Sequence, residues 1–87
     1  MNKKGRKLLE KAKNSSAGWR RDDIINLYEH FGFEIKTGGY DINAIHPVYK
    51  DLRASISKSS GELANGYIRH AVKMIEKLLE YQGEKNE

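Results

Sequence analysis

Residues 33–49 read FEIKTGGYDINAIHPVY, and the alternation within this stretch decides the fold. Apolar and polar residues alternate in FEIKT and again in YDINAIH, which predicts two β-strands. Gly38 and Gly39 lie between them and predict a two-residue primed hairpin turn, because glycine tolerates the positive φ that such a turn needs. Pro47 cannot donate a hydrogen bond to a neighbouring strand and therefore ends the second strand.

Periodic patterns on both sides of the hairpin predict one further strand and three helices. The predicted strand is LRASIS at residues 52–57. The predicted helices are KLLEKAK at residues 7–13, a second that opens near Asp22 and Asp23 and closes at Gly32, and a third from Asn65 or Gly66 to near Gln82. We therefore expect an α+β domain with the order α-α-β-β-β-α and a three-stranded antiparallel sheet.

Side chains alternate between the two faces of a strand. Once the covered face is chosen, each strand residue is therefore assigned either to the core or to the open face. The helices must cover the apolar face. The residues predicted to point inward are Phe33, Ile35, Ile42, Ala44, Leu52, Ala54 and Ile56. The residues predicted to lie on the open face are Glu34, Lys36, Asp41, Asn43, Ile45, Arg53 and Ser55, with Tyr40 and His46 at the margins.

The chain is short and contains no cysteine. Its 87 residues are enough for one small domain, which we assign to residues 1–82 with a polar tail at 83–87. The lack of cysteine excludes disulfides and thiolate metal sites and is typical of a cytoplasmic protein. The start MNKKGRKLLEK lacks the apolar region of a signal peptide, and no apolar run approaches a membrane span of about 20 residues. We expect a cytoplasmic protein with no membrane segment.

Positive charge is concentrated at the N-terminus. Residues 1–21 contain eight lysines and arginines but only one acidic residue, Glu10, within a chain of net charge +4. We assign residues 1–18 as the basic N-terminal segment of the domain. A basic segment of this kind favours contact with a polyanion, because lysine and arginine release counterions from phosphates. A solvated and partly frayed terminus explains the same pattern equally well.

The order of elements, together with GFEIKTGGYDINAIHP and the later SKSSGELANGYIRHAVKMI, resembles the HicA family of toxins from bacterial and archaeal toxin-antitoxin systems. The matching motifs, within about residues 19–80, are Gly32-Phe33, Gly38-Gly39, His46-Pro47, Gly61-Glu62-Leu63 and Gly66. The resemblance implies a fold like the double-stranded RNA-binding domain and activity as an mRNA interferase, which is an endoribonuclease. It also implies a HicB-like antitoxin partner that covers the open sheet face. We expect no cofactor.

One position departs from the family pattern. The catalytic histidine of the family follows Gly-Gly-Ser, and Asp41 occupies that place here. A ribonuclease needs a base for the ribose 2′-hydroxyl and an acid for the leaving oxygen, whereas an aspartate on an open surface is ionised at pH 7 and donates no proton. Asp41 and His46 are the candidate catalytic residues. The alternatives are an ion pair of Asp41 with Lys36 or Arg53 and a turn-stabilising role for His46.

Six polar residues are candidates for contact with RNA phosphates, several of them near the start of the last helix, where free backbone N–H groups favour anions. These candidates are Lys36, Lys58, Ser59, Arg69, His70 and Lys73. An ordinary solvated helix face is an equally good explanation. The histidines are too scattered to predict a metal site. Trp19 and Tyr40 have rings that could stack on bases, but packing within the core is the stronger expectation for both.

Three hypotheses for function follow from these observations. The leading one is a HicA-like RNA-binding protein of a toxin-antitoxin module, with ribonuclease activity in question because the family's histidine is missing. The second is a noncatalytic module that kept the fold and a protein or nucleic-acid partner but lost the chemistry. The third is a small DNA-binding accessory protein, which would prefer duplex DNA to RNA.

Overall fold

Three helices and three strands make up the fold in a computed structural model that describes residues 3–58 and 61–83. In chain order they are α1 (Lys3–Asn14), α2 (Arg21–His30), β1 (Glu34–Thr37), β2 (Asp41–Ile45), β3 (Arg53–Ser57) and α3 (Asn65–Tyr81). The predicted α+β class and the order α-α-β-β-β-α are confirmed. The first helix begins four residues earlier than the sequence pattern predicts. Residues 84–87 of the predicted polar tail lie outside the described part.

Local chemistry fixes both ends of α2. The side-chain Oδ2 of Asp23 accepts a hydrogen bond from the backbone N–H of Arg20 at 3.0 Å, which satisfies a donor just before the helix. Gly32 follows the last turn with φ at +85°, a conformation that side chains other than glycine adopt only with strain. The predicted end of the helix at Gly32 is therefore confirmed.

The sheet is antiparallel with the order β1-β2-β3, so β2 is its central strand. The hairpin turn differs from the prediction. The backbone N–H of Gly38 donates to the carbonyl of Asp41 at 2.8 Å, which leaves Gly39 and Tyr40 as the two central turn residues. Neither Gly38 nor Gly39 has the positive φ of a primed turn. The predicted turn on Gly38-Gly39 is wrong: it would pair Thr37 with Tyr40, whereas Thr37 pairs with Ile42, so the turn lies one residue further along the chain.

The helices cover one face of the sheet, as the alternation predicts. The inward residues are buried apart from Ile35, which is half-buried. They pack against apolar residues of the helices, namely Leu9, Ala12, Ile24, Leu27, Tyr28, Ile68, Ala71, Ile75 and Leu78. None of the three described helices packs on the other face, where Asp41 has an exposed side chain. The core therefore sits between the sheet and the helices, and the open face is left for contacts with other molecules.

Trp19 joins the first two helices. Its ring is 3% exposed, and its Nε1–H donates to the carbonyl of Ser15 at 3.0 Å. The expectation that Trp19 packs within the core is thus confirmed. In the described part of the chain, no helix has the length and apolar character needed to span a membrane.

Candidate nucleic-acid interface

Cross-strand rows of side chains organise the open face of the sheet. One row consists of Lys36, Asn43 and Ser55, and within it the Ser55 hydroxyl donates to Oδ1 of Asn43 at 3.2 Å. The next row consists of Glu34, Ile45 and Arg53. Because adjacent strands lie about 4.8 Å apart, Lys36 and Ser55 are about 10 Å apart across the sheet. The face therefore presents a neutral hydrogen-bonding centre with charges at its edges.

Asp41 begins β2 and lies opposite Ser57 of β3. Arg53 lies opposite Ile45 instead, four residues or about 13 Å further along the strand. Among the described residues, Asp41 forms no ion pair with Lys36 or Arg53. The register thus gives no support to the alternative that Asp41 serves as an ion-pair partner, and its exposed carboxylate lies beside the hairpin turn.

His46 lies at the other end of β2 and is 5% exposed. Its Nδ1 accepts hydrogen bonds from the backbone N–H groups of Val48 at 3.1 Å and Tyr49 at 3.2 Å. The imidazole packs edge-on against Phe33, with ring centroids 5.3 Å apart. Burial lowers the pKa of His46, so the ring is neutral at pH 7 with its proton on Nε2. These contacts support the alternative of a turn-stabilising residue.

The two candidate catalytic residues do not meet. Asp41 and His46 are five residues apart along β2, a separation of about 17 Å in an extended strand. An odd spacing also places them on opposite faces, with Asp41 exposed on the open face and His46 buried on the covered one. A base and an acid that act on one phosphodiester must both reach it, so these two side chains cannot act as such a pair in this arrangement.

Lys58 contacts the tip of the β1–β2 hairpin, where Tyr40 is exposed. Nζ of Lys58 donates to the carbonyl of Gly39 at 3.4 Å, and the carbonyl of Lys58 accepts from Nη1 of Arg21 at 2.8 Å. The Tyr40 side chain is 93% exposed. The expectation that Tyr40 packs in the core is therefore wrong, because Tyr40 occupies the turn itself, away from the helices. An aromatic residue directly after two glycines was the available sequence signal for this exposure.

Three of the predicted RNA-contact residues form a group on α3. Arg69, His70 and Lys73 are exposed on one side of the helix and line a groove of about 380 Å³ together with Val72 and Glu76. We call Arg69, His70 and Lys73 the helix group. His70 faces β3, because its Nε2 lies 3.5 Å from the carbonyl oxygen of Arg53.

The remaining predicted RNA-contact residues lie elsewhere. Lys36 is on β1, two strands away from β3, and Ser59 lies outside the described residues. Ser55 connects the two regions, because it belongs to the same row as Lys36 and lines a groove with His70. A polar band therefore runs from Lys36 across the sheet to the helix group.

The Gly61-Glu62-Leu63 motif has a structural explanation. Oε2 of Glu62 accepts a hydrogen bond from the backbone N–H of Gly18 at 3.0 Å. The backbone N–H of Leu63 donates to the carbonyl of Trp19 at 2.7 Å, and the Leu63 side chain is buried. These bonds attach the segment after β3 to the segment before α2, which fixes the start of α3 and the position of the helix group.

Comparisons with protein-family models, curated proteins and solved structures found no match. The resemblance to HicA toxins therefore rests on the motifs quoted above and stays a prediction. Within residues 3–58 and 61–83, no group of three or more histidine, aspartate or glutamate side chains is arranged to hold a metal ion.

Proposed function

We propose that this chain is a HicA-like RNA-binding protein of a toxin-antitoxin module. The observation that supports RNA binding is the exposure of Tyr40 at the hairpin tip, next to a lysine and beside the open sheet face. The toxin-antitoxin part of the proposal rests on the resemblance of the sequence motifs. An exposed tyrosine ring stacks on unpaired bases, and this contact tolerates any base because every base has a π-face. At 93% exposure the ring contributes little to the core and is accessible to a base.

The charges around Tyr40 favour the same ligand. Lys58 lies at the tip, and Lys36 lies on β1 two residues before Gly38. An RNA strand that stacks a base on Tyr40 brings its phosphates within reach of these lysines. Phosphate contacts of this kind set affinity and orientation without reading sequence.

The helix group extends this contact surface. Arg69, His70 and Lys73 are exposed, and His70 lines a groove with Ser55, which ends the Lys36–Ser55 row. Basic side chains along the first turns of a helix suit a phosphate backbone, because the positive end of the helix dipole adds to their charge. The proposed RNA path thus leads from the hairpin tip along the sheet to the N-terminal half of α3.

A second candidate, RNA binding without cleavage, is favoured by one specific observation. The Nδ1 atom of His46 is engaged by two backbone N–H groups, and this ring lies about 17 Å along β2 from Asp41. With no acid–base pair assembled, binding is the property that this geometry supports best. A HicB-like protein is the proposed partner for the open face, where Ile45 is half-buried between Glu34 and Arg53.

The proposal is tested with short fluorescein-labelled RNAs, one single-stranded and one hairpin, at low salt. We expect saturable binding in fluorescence anisotropy, no cleavage products on a denaturing gel, and weaker binding of duplex DNA. The proposal fails if the protein is folded by circular dichroism and neither retards nor cleaves either RNA. A preference for duplex DNA would favour the DNA-binding accessory protein instead.

A further inference from the structure

The outer edge of β3 directs backbone groups away from the sheet. The backbone N–H of His46 donates to the carbonyl of Leu52 at 3.0 Å, so these two residues form a hydrogen-bonded pair between β2 and β3. Paired residues in an antiparallel ladder alternate between bonded and non-bonded. The next non-bonded positions on β3 are Arg53 and Ser55, which therefore point their N–H and C=O groups outward.

This edge lies beside a groove. The groove has a volume of about 360 Å³ and is lined by Ser55, Ala64, Gly66, Tyr67 and His70. A Cβ atom added to Gly66 would meet no atom within 4 Å, so the space in front of the first turn of α3 is open. Along this edge, His70 Nε2 lies 3.5 Å from the Arg53 carbonyl oxygen, a weak contact.

Proteins commonly protect a strand edge with proline, a bulge or inward-pointing charge. β3 has the sequence RASIS, with no proline, and its register with β2 is uninterrupted from Arg53 to Ser57. Its only charge, Arg53, is at the start of the strand. An edge strand with neither proline nor a bulge, next to an open groove, is the geometry that accepts an added strand from another chain.

We propose that the β3 edge binds an extended acidic segment of a partner protein as a fourth strand. The charge around the edge identifies this occupant. Arg53 is exposed at the edge, and Lys73 is exposed on α3 three residues after His70, whereas the nearest acidic residue of α3, Glu76, is paired with Lys13 at 3.1 Å. A second copy of this chain would bring the same cations to the edge, and this repulsion disfavours pairing of two β3 strands.

The groove also determines which positions of the added segment should be apolar and which should be acidic. Alternate side chains of a strand point to opposite faces. Residues of the segment that face α3 enter a groove lined by Ala64 and Tyr67 and should be apolar. Residues on the other face lie beside Arg53 and should be acidic. This partner differs from RNA in class and shares the groove beside Ser55 with the proposed RNA path. The inference rests on the backbone groups of the β3 edge and does not depend on RNA binding.

A labelled peptide that alternates valine and glutamate is the probe, and the variants Ser55→Pro and Ser55→Ala form a matched pair. Proline removes the outward N–H donor of Ser55 without removing a bond between β2 and β3, whereas alanine keeps that donor. Both variants lose the hydroxyl contact to Asn43. We expect Ser55→Pro to weaken peptide binding about tenfold, as expected for the loss of one backbone hydrogen bond, and Ser55→Ala to bind like the wild type.

Gly66→Leu tests the groove without touching the sheet. Leucine fills the open space and is a better helix former than glycine, so the variant stays folded but should lose the peptide. Gly66→Ala adds only a Cβ atom and should keep binding. In the wild type, the peptide should slow amide hydrogen exchange at Arg53 and Ser55.

Four results would overturn the proposal. The first is equal binding of the peptide to wild type, Ser55→Pro and Gly66→Leu. The second is equal affinity for a peptide in which lysine replaces glutamate. The third is a dimer of the protein alone that Ser55→Pro dissociates, which would assign the edge to a second copy. Protection of the Arg53 and Ser55 amides by RNA rather than by the peptide would likewise assign the edge to nucleic acid.

Discussion

The Nδ1 atom of His46 accepts a hydrogen bond from the backbone N–H of Tyr49 at 3.2 Å, so the loop after β2 is folded around this imidazole. The ring of Tyr49 in turn packs against Tyr81 with centroids 5.1 Å apart, and the Tyr81 hydroxyl donates to Oδ2 of Asp51 at 2.8 Å. His46 therefore connects the end of β2 to the last turn of α3. These contacts give His46 a role in the fold rather than in catalysis.

Replacement of His46 by alanine should destabilise the protein by about 2–4 kcal/mol, because it leaves a cavity beside Phe33 and two backbone donors without their acceptor. Urea unfolding followed by circular dichroism measures the change. Lys50→Ala, an exposed substitution in the same loop, is the control and should change the free energy of unfolding by less than about 0.5 kcal/mol. A His46→Ala protein as stable as the control would contradict the structural role.

The buried imidazole also predicts a pH dependence of stability. Burial lowers the pKa of His46 in the folded state below its value of about 6.5 in the unfolded chain. The unfolded state therefore binds the proton more readily, so this contribution is complete above about pH 6.5 and is lost as the pH falls toward the folded-state pKa. Unfolding at pH 7.5 and pH 5.5 should show a larger loss for the wild type than for His46→Asn, which cannot titrate. Equal losses in the two proteins would exclude this role for His46.

Tyr40 should dominate the affinity for single-stranded RNA. Tyr40→Ala removes the stacking ring and should weaken binding by about 1–3 kcal/mol, roughly a factor of 5 to 150 in Kd. Tyr40→Phe keeps the ring and should bind nearly as well as the wild type. The side chain is 93% exposed, so neither substitution should alter the unfolding curve. Unchanged RNA affinity in Tyr40→Ala would contradict the proposed stacking of Tyr40 on an RNA base.

The helix group should contribute charge rather than sequence preference. Arg69→Ala and Lys73→Ala should each lower the slope of log Kd against log salt concentration by about 0.7, the value for one phosphate contact to a single strand. Lys50→Ala serves as the control, because Lys50 follows β2 at the end opposite the hairpin tip. If the slope is unchanged in both helix variants but falls in the control, the RNA path lies elsewhere.

Substitutions of Asp41 distinguish RNA binding from RNA cleavage. We expect the wild type to leave bound RNA intact and Asp41→His, which introduces the histidine found at this place in the HicA pattern that the sequence resembles, to produce cleavage visible on a denaturing gel. Asp41→Asn removes the charge without adding an acid–base group and should remain inactive. Cleavage by the wild type that is lost in Asp41→Ala would show instead that the carboxylate is catalytic.

The strands were predictable from the sequence, because their alternating apolar residues can all be buried on one face in only one way. Burying Ile42 and Ala44 places Asp41 and Asn43 on the open face, and the structure has this arrangement. The end of α2 at Gly32 was equally predictable, since a left-handed φ after a helix favours glycine.

The turn and the side-chain partners were not predictable in the same way. The choice between Gly38-Gly39 and Gly39-Tyr40 as the turn depends on which residue pairs with Ile42, and that register is set by the whole sheet. The acceptor role of His46 depends on backbone groups two and three residues later, which no periodicity encodes. The position of the helix group relative to Ser55 depends on how the segment held by Glu62 directs α3.

The most direct test of the central claim is the titration of ¹⁵N-labelled protein with a single-stranded RNA, followed by amide chemical shifts. The account predicts the largest shifts at Gly39, Tyr40 and Lys58, together with the helix group, and small shifts in the His46–Tyr49 loop. Shifts confined to that loop or to the N-terminal segment, with the hairpin tip unchanged, would contradict it.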